Sequence, residues 1–281
     1  MRKAIRISSL VAIAVFYIYP FLWLITTSFK SDEAFTESVL GFPETIYWGN
    51  YLEEKKDADT EEESEDKEQS LGIGIRNSSF VSTLSVILNL LLAAPAAYAF
   101  SRFKGRLFRL SKFLIIPGLI IPIHVCLIPL LKLSSGLNMY DSLWGLSVIY
   151  SAFSLAVSIL IIQTTINEIP DELFEAARVD GASDFYIFVK IALPLSIPAL
   201  VVSAVYQYMI NYNEFLFALT LLQSEEKNTL ALAMQRYSGG FDTNIPGIAA
   251  AICISSIPAI LIFSGLQRYL IRGMTQGAVK G

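Results

Sequence analysis

Residues Asn167–Lys190 read NEIPDELFEAARVDGASDFYIFVK, a charged run set between two long apolar segments. Its surroundings decide what it interrupts. Six apolar blocks reach the length of about 20 residues that an α-helix needs to cross a bilayer. They are roughly Ile7–Thr27, Phe80–Phe100, Phe113–Leu133, Leu143–Ile162, Ile191–Met209 and Ile245–Leu266. Hydrophobic residues make up 54% of the 281-residue chain and charged residues 16%, and the mean hydropathy is +0.54. A globular helix keeps one polar face, whereas these blocks are apolar around their whole circumference. The fold class expected is therefore an all-α polytopic membrane protein, with residues 1–281 forming a single transmembrane domain.

Basic residues orient it. Arg2, Lys3 and Arg6, the cluster from Arg102 to Lys112, Arg178, Lys190, Arg268, Arg272 and Lys280 all fall on one side of a six-span arrangement. The other side holds fewer, several of them inside an acidic run, so both termini and the 167–190 loop are expected in the cytoplasm. The first block could instead be a secretory signal, but TTSFKSDE after it offers no small-x-small cleavage site, and a retained span is expected. The net charge of −4 and the topological role of the SRFKGRLFRLSK cluster argue against nucleic-acid binding. Cys126 and Cys253 lie within spans without metal-ligand or redox spacing, and read as small buried hydrophobes.

Residues 28–79 form the first external loop, whose tract 53–68 is rich in Asp and Glu and poor in aromatics. Like-charge repulsion makes that tract a disordered spacer by expectation. A calcium-binding or basic-partner role for its carboxylates lacks the spaced loop and central glycine of an EF-hand. His124, the only histidine, sits in the third block and excludes a multi-histidine metal site within this chain. Gln207, Asn211, Asn213 and Glu214 gather near the end of the fifth block, where polar groups either bond across the bundle or line a translocation path. Neither a phosphate-binding GxxxxGK[ST] loop nor HExxH occurs. No cofactor, metal or catalytic residue is expected, so an enzyme reading has no support.

The 167–190 run itself reads as helix, break, helix. Pro170 suits a first helical position, and Asp171 and Glu172 suit the first turn, where free amides favour carboxylates. Leu173, Phe174 and Ala177 would form one apolar face, with Glu172, Glu175 and Arg178 elsewhere. Gly181 allows a sharp turn without a Cβ penalty, and Ser183 is placed to cap the next helix. Pro194 and Pro198 restrict re-entry into the membrane. Physical chemistry alone leaves two readings open: a docking surface for a soluble partner, or a helix whose Leu173 and Phe174 rest on lipid headgroups.

The order Glu175-Ala176-Ala177, Gly181, then Ile191-x-Leu193-Pro194 resembles the inner-membrane permease subunits of binding-protein-dependent ABC importers. NSSFVSTLSVILNLLLAAPAAYAFSRFKG from Asn77, NYNEFLFALTLL from Asn211 and QRYLIRGMTQGAVKG from Gln267 extend the likeness over nearly all the chain outside the acidic run. They are similar to the carbohydrate-importer branch, in particular to maltose-transport permeases with a glycine-containing C-terminal tail. The acidic segment departs from the family pattern.

The resemblance implies a six-helix ABC importer permease bundle with cytoplasmic coupling helices in a prokaryotic inner membrane. It implies a second permease subunit, two ATPase subunits that bind ATP and Mg2+, and an extracytoplasmic solute-binding protein. Leu173, Phe174, Glu175, Ala176, Ala177, Asp180 and Gly181 would meet an ATPase, and Gln276, Gly277 and Gly281 in the tail 267–281 would approach it too. The solute implied is a sugar or oligosaccharide, with a sugar phosphate or polyol as the alternative. An ion-gradient transporter is the competing class, against which stands the lack of a repeated broken-helix pattern or clustered intramembrane acids.

Overall fold

The computed structural model describes residues 2–52, 61–238 and 244–278, and within these the elements are helical. The order is α1 Arg2–Ser28, α2 Asp32–Glu37, α3 Gly49–Leu52, α4 Glu61–Arg102, α5 Arg106–Ile115 and α6 Ile123–Gly136. There follow α7 Leu143–Glu168, α8 Asp171–Val179, α9 Asp184–Ile187, α10 Leu193–Leu195 and α11 Ile197–Tyr212. The last are α12 Leu216–Leu221, α13 Leu230–Ser238 and α14 Ile245–Ala278. Among the described residues four helices carry stretches long and apolar enough to cross a membrane, Arg6–Ser28, Leu71–Arg102, Leu143–Glu168 and Ile245–Gln267, and the count rises to six if each of two bent pairs is one span.

Those bent pairs replace the continuous third and fifth segments expected from hydropathy. Arg106–Leu119 and Ile123–Gly136 meet at 108°, and Asp184–Leu195 and Ile197–Tyr212 at 70°. The cause is proline, which supplies no amide hydrogen and collides with the carbonyl four residues back. Pro117 sits in the short 3-10 turn Ile116–Leu119 and Pro122 precedes α6. In the fifth segment a π-turn at Phe188–Ala192 runs into Pro194, and Pro198 opens α11.

The chain packs as two compact units, Met1–Gly72 with Ala233–Ile257, and Ile73–Leu232 with Pro258–Gly281. In the first, the segment after α1 is closely bonded to itself and to the end of α1. Lys30 is fully buried, and its ammonium donates to the carbonyl of Ser38 at 2.6 Å. Asn50 donates to the carbonyls of Ser28 and Lys30 at 2.9 and 2.7 Å, and Tyr51 donates to the Ser28 hydroxyl at 2.6 Å. The rings of Phe29, Trp48 and Tyr51 pack over the end of α1. Of the acidic tract, residues 53–60 lie outside the described residues, and 61–68 open α4 as helix where a spacer was expected. Glutamate is a good helix former, and carboxylates at a helix N-terminus complement its dipole, which offsets their mutual repulsion.

The second unit has two cores. One joins Ala93, Ala94, Ala97 and Tyr98 of α4 to Ile159, Ile162 and Ile166 of α7 and to Phe174, Ile187 and Ala192. Alanine at these positions lets helix backbones approach closely. The other joins Val81, Leu146, Ile149 and Tyr150 to Phe217, Ala218 and Leu221. Gly145 near the start of α7 is required by space, since a Cβ there would lie 2.2 Å from the Met139 carbonyl oxygen. Gly145→Ala is expected to destabilise the chain by about 1–3 kcal/mol through overpacking, read as a lower melting temperature of the detergent-purified protein.

Candidate functional site

The element α8–Gly181–α9 is built by local bonding. Pro170 occupies the N-cap with ψ 136° rather than the first helical position, and Asp171 and Glu172 fill the first turn. At the other end Gly181 adopts φ +80°, its amide donates to the Arg178 carbonyl at 3.0 Å, and the Ala182 amide donates to the Ala177 carbonyl at 2.9 Å. This pair of bonds around a left-handed residue is the Schellman motif. The Ser183 hydroxyl accepts from the Tyr186 amide at 3.2 Å and so caps α9, as its position in sequence suggested.

A Cβ at position 181 would meet nothing within 4 Å, so the backbone angle alone demands glycine there. Gly181→Ala is expected to cost about 1–2 kcal/mol at this turn, and Gly181→Asn less, because asparagine adopts the left-handed region more readily. Faster hydrogen exchange of the Gly181 and Ala182 amides, by about tenfold in the alanine variant, is the measurement.

One face of α8 belongs to the protein's own core. Phe174 is 1% exposed and packs against the rings of Tyr98 and, through it, Phe188 and Phe103. The Arg102 guanidinium, at the C-terminus of α4, lies 3.6 Å from the Phe174 ring centroid and pairs with Asp171. The same side chain donates to the carbonyls of Ile166 and Ile169 at 2.8 and 3.2 Å, at the end of α7 where the helix dipole favours a cation. One residue therefore ties the ends of α4 and α7 to the start of α8.

The opposite face is open. Glu172, Leu173, Glu175, Ala176, Val179 and Asp180 are exposed, Val179 at 86%. Phe185 and Tyr186 continue this surface beyond the turn. The apolar knob of Leu173, Phe174 and Ala177 is thus corrected. Phe174 is buried and Ala177 packs half-buried at the edge of the core, because the aromatic core against which α8 lies is more apolar than solvent. Val179 was missed, although Glu172, Glu175, Ala176 and Val179 stand at i, i+3, i+4 and i+7 and so share a face. Arg102 was missed as well, since its partners lie more than sixty residues away in sequence.

The residues expected either to bond across the bundle or to line a path separate into two groups. Gln207 is fully buried and its amide nitrogen lies 2.9 Å from Asn89 Oδ1, 2.7 Å from Ser158 Oγ and 3.3 Å from Ser203 Oγ. Asn89 in turn donates to the Ser151 carbonyl at 2.7 Å, and Asn211, 5% exposed, donates to Ser85 at 2.9 Å. These two side chains rivet α4, α7 and α11. Glu214 is half-buried, accepts from Tyr150 at 2.6 Å and accepts the Phe217 and Ala218 amides at the start of α12. Asn213 is exposed and donates to the Met209 carbonyl at 2.9 Å.

A latch joins the loop after α6 to the loop after α12. Asp141 accepts from the Lys227 ammonium at 2.8 Å, from the Ser224 hydroxyl at 2.5 Å and from the amides of Gln223 and Ser224. Desolvation opposes its ionisation, but the bonds from Lys227, Ser224 and the two amides hold its carboxyl well below the usual carboxylate range. The latch therefore stands above the ordinary carboxylate pKa and is lost only as pH falls through the depressed value.

Among the described residues no group of three or more His, Cys, Asp or Glu side chains could hold a metal ion. Cys126 and Cys253 are free and half-buried, and His124 is exposed. Gln276 and Gly277 continue α14, and Gly281 lies outside the described residues.

The model of the family "Binding-protein-dependent transport system inner membrane component" matches residues 89–276. An ABC transporter permease protein of Caldicellulosiruptor sp. (strain Rt8B.4) is 38% identical over 263 residues, 93% of this chain and 91% of that one. The melibiose/raffinose/stachyose import permease protein of Bacillus subtilis (strain 168) is 30% identical over 282 residues, 99% of this chain and 98% of its own. Among solved structures, a chain of a bacterial ABC transporter involved in the import of the acidic polysaccharide alginate shares the fold at a TM-score of 0.80. It is 23% identical in sequence, with 95% of this chain and 96% of that chain covered.

Proposed function

Because the chain belongs to the family of binding-protein-dependent transport system inner membrane components, we propose that it is the membrane-spanning permease subunit of an ATP-driven importer for a sugar or oligosaccharide. The observation that carries the reading is the α8–Gly181–α9 element, one face locked to its own bundle and the other left open. The solute class is supported by the relative named for melibiose, raffinose and stachyose import.

In this reading the open face, with Glu175 as its polar contact and Leu173, Ala176 and Val179 as its apolar ones, seats in an ATPase subunit. ATP and Mg2+ belong to that partner, as does hydrolysis. Closure of two ATPases displaces α8, and the Arg102 tie passes the displacement to the ends of α4 and α7, so that the bundle favours an outward-facing state able to receive solute from a binding protein. A second permease completes the path, and Asn213 and Glu214 are the polar groups here with a surface to offer it. The membrane is the prokaryotic inner membrane with both termini cytoplasmic, and Gln276, Gly277 and Gly281 extend toward the ATPases.

The test uses the complex purified through this chain. An ATPase subunit is expected to co-purify, a solute-loaded binding protein to stimulate its hydrolysis, and a Val179→Cys variant to cross-link to it. Replacing Glu175 with Ala is expected to lower stimulated hydrolysis while leaving assembly in the membrane intact. Uptake driven by a proton or sodium gradient without any ATPase would overturn the reading.

A further inference from the structure

The cationic helix α5 lies apart from the open face of α8, and its own surface is divided between apolar and basic residues. With successive residues turned by about 100°, Leu107, Leu110 and Leu114 form one stripe and Phe108, Ser111 and Ile115 a second, while Arg106, Arg109 and Lys112 occupy a third that also holds the exposed ring of Phe113. The burial follows the same division. Phe108, Ser111 and Ile115 are half-buried, with Ile115 against the core that holds Tyr98 and Phe103 stacked on Phe108 at 5.4 Å. Leu107, Leu110 and Leu114 are exposed at 70%, 54% and 65%. The three cations are exposed too, and among the described residues none of them has an ion-pair partner.

Chain connectivity says what surrounds these two uncovered stripes. The apolar stretch of α4 that is long enough to cross a membrane ends at Arg102, three residues lead to Arg106, and the segment Arg106–Leu119 meets Ile123–Gly136 at 108°. So short a link keeps the start of α5 close to the end of α4. A leucine stripe beside a lysine and arginine stripe, with no acidic residue in the helix, matches the boundary between acyl chains and anionic headgroups. We propose that α5 lies in the interface of the leaflet at the Arg102 end, with Leu107, Leu110 and Leu114 among acyl chains and Arg106, Arg109 and Lys112 binding the phosphates of anionic phospholipids. The proposal rests on membrane insertion alone and is independent of solute and ATPase.

The test is a Leu110→Cys variant of the full chain, with Cys126 and Cys253 changed to alanine, carrying a polarity-sensitive fluorophore in nanodiscs of phosphatidylcholine and phosphatidylglycerol. Lipid bearing a shallow doxyl group is expected to quench the label and aqueous iodide is not. Doxyl-labelled phosphatidylglycerol should quench about threefold more than the phosphatidylcholine analogue at equal fraction. That preference should vanish in R106Q/R109Q/K112Q and persist in R106K/R109K, whose charge is unchanged. Quenching by iodide, or by neither reagent because a protein covers the stripe, would overturn the placement. Equal quenching by both lipids, or a preference that survives the glutamine variant, would overturn the headgroup assignment.

Discussion

Phe174→Ala is expected to destabilise the isolated chain by about 3–5 kcal/mol, as loss of a fully buried aromatic does elsewhere, while Leu173→Ala leaves its stability nearly unchanged. The two residues are adjacent and both apolar, yet one is 1% exposed within a ring cluster and the other is 47% exposed. Removing the Phe174 ring also takes away the surface on which the Arg102 guanidinium lies. The measurement is thermal unfolding of the detergent-purified chain with no partner present. A Phe174→Ala protein that melts with the parent and fails only in ATPase binding would mean that Phe174 points outward. Leu173→Ala should show the reverse pattern, with the parent's melting temperature and weaker cross-linking from position 179.

Arg102→Ala is expected to release α8 locally without unfolding the bundle. The side chain is 9% exposed, so its bonds to the Ile166 and Ile169 carbonyls are shielded, whereas Asp171 is 80% exposed and its pairing is discounted for solvent. Charge-assisted bonds and the contact with Phe174 together suggest about 2–3 kcal/mol, or roughly thirty- to a hundred-and-fiftyfold in the fraction of α8 detached. Hydrogen exchange at residues 173–182 reads this directly, and stimulated ATP hydrolysis in the complex should fall with it. Arg102→Lys keeps the charge but cannot reach two carbonyls and a carboxylate in one plane, so it should recover only part of the loss. Unchanged exchange in both variants would remove Arg102 from the coupling route.

Much of this was legible in the residues. The acidic first turn, Gly181 and Ser183 are local signals, and each produces its local structure where the spacing placed it, while Pro170 stands one position earlier than expected, at the N-cap. The family resemblance carried by Glu175-Ala176-Ala177 and Gly181 agrees with the family match. What could not be read is the rotation of α8 about its axis, because both the bundle and a docking partner would accept an apolar face. The burial of Gln207 and Asn211 was equally hidden. Their partners Asn89, Ser158 and Ser85 are 118, 49 and 126 positions away, and a polar residue near a span end looks the same whether it meets solute or another helix. Proline marked the breaks in the third and fifth segments, but a proline can remain inside a helix, as Pro129 does in α6, so the bends followed only from the structure.

The bonds from Gln207 and Asn211 also limit which motions the subunit has available. To slide α11 past α4 and α7 by one helical turn, about 5.4 Å, would break the contacts to Asn89, Ser158 and Ser85 together, and all of these side chains are buried. The three helices therefore share their degrees of freedom and tilt as one strut. A rearrangement that keeps these bonds moves α4, α7 and α11 together.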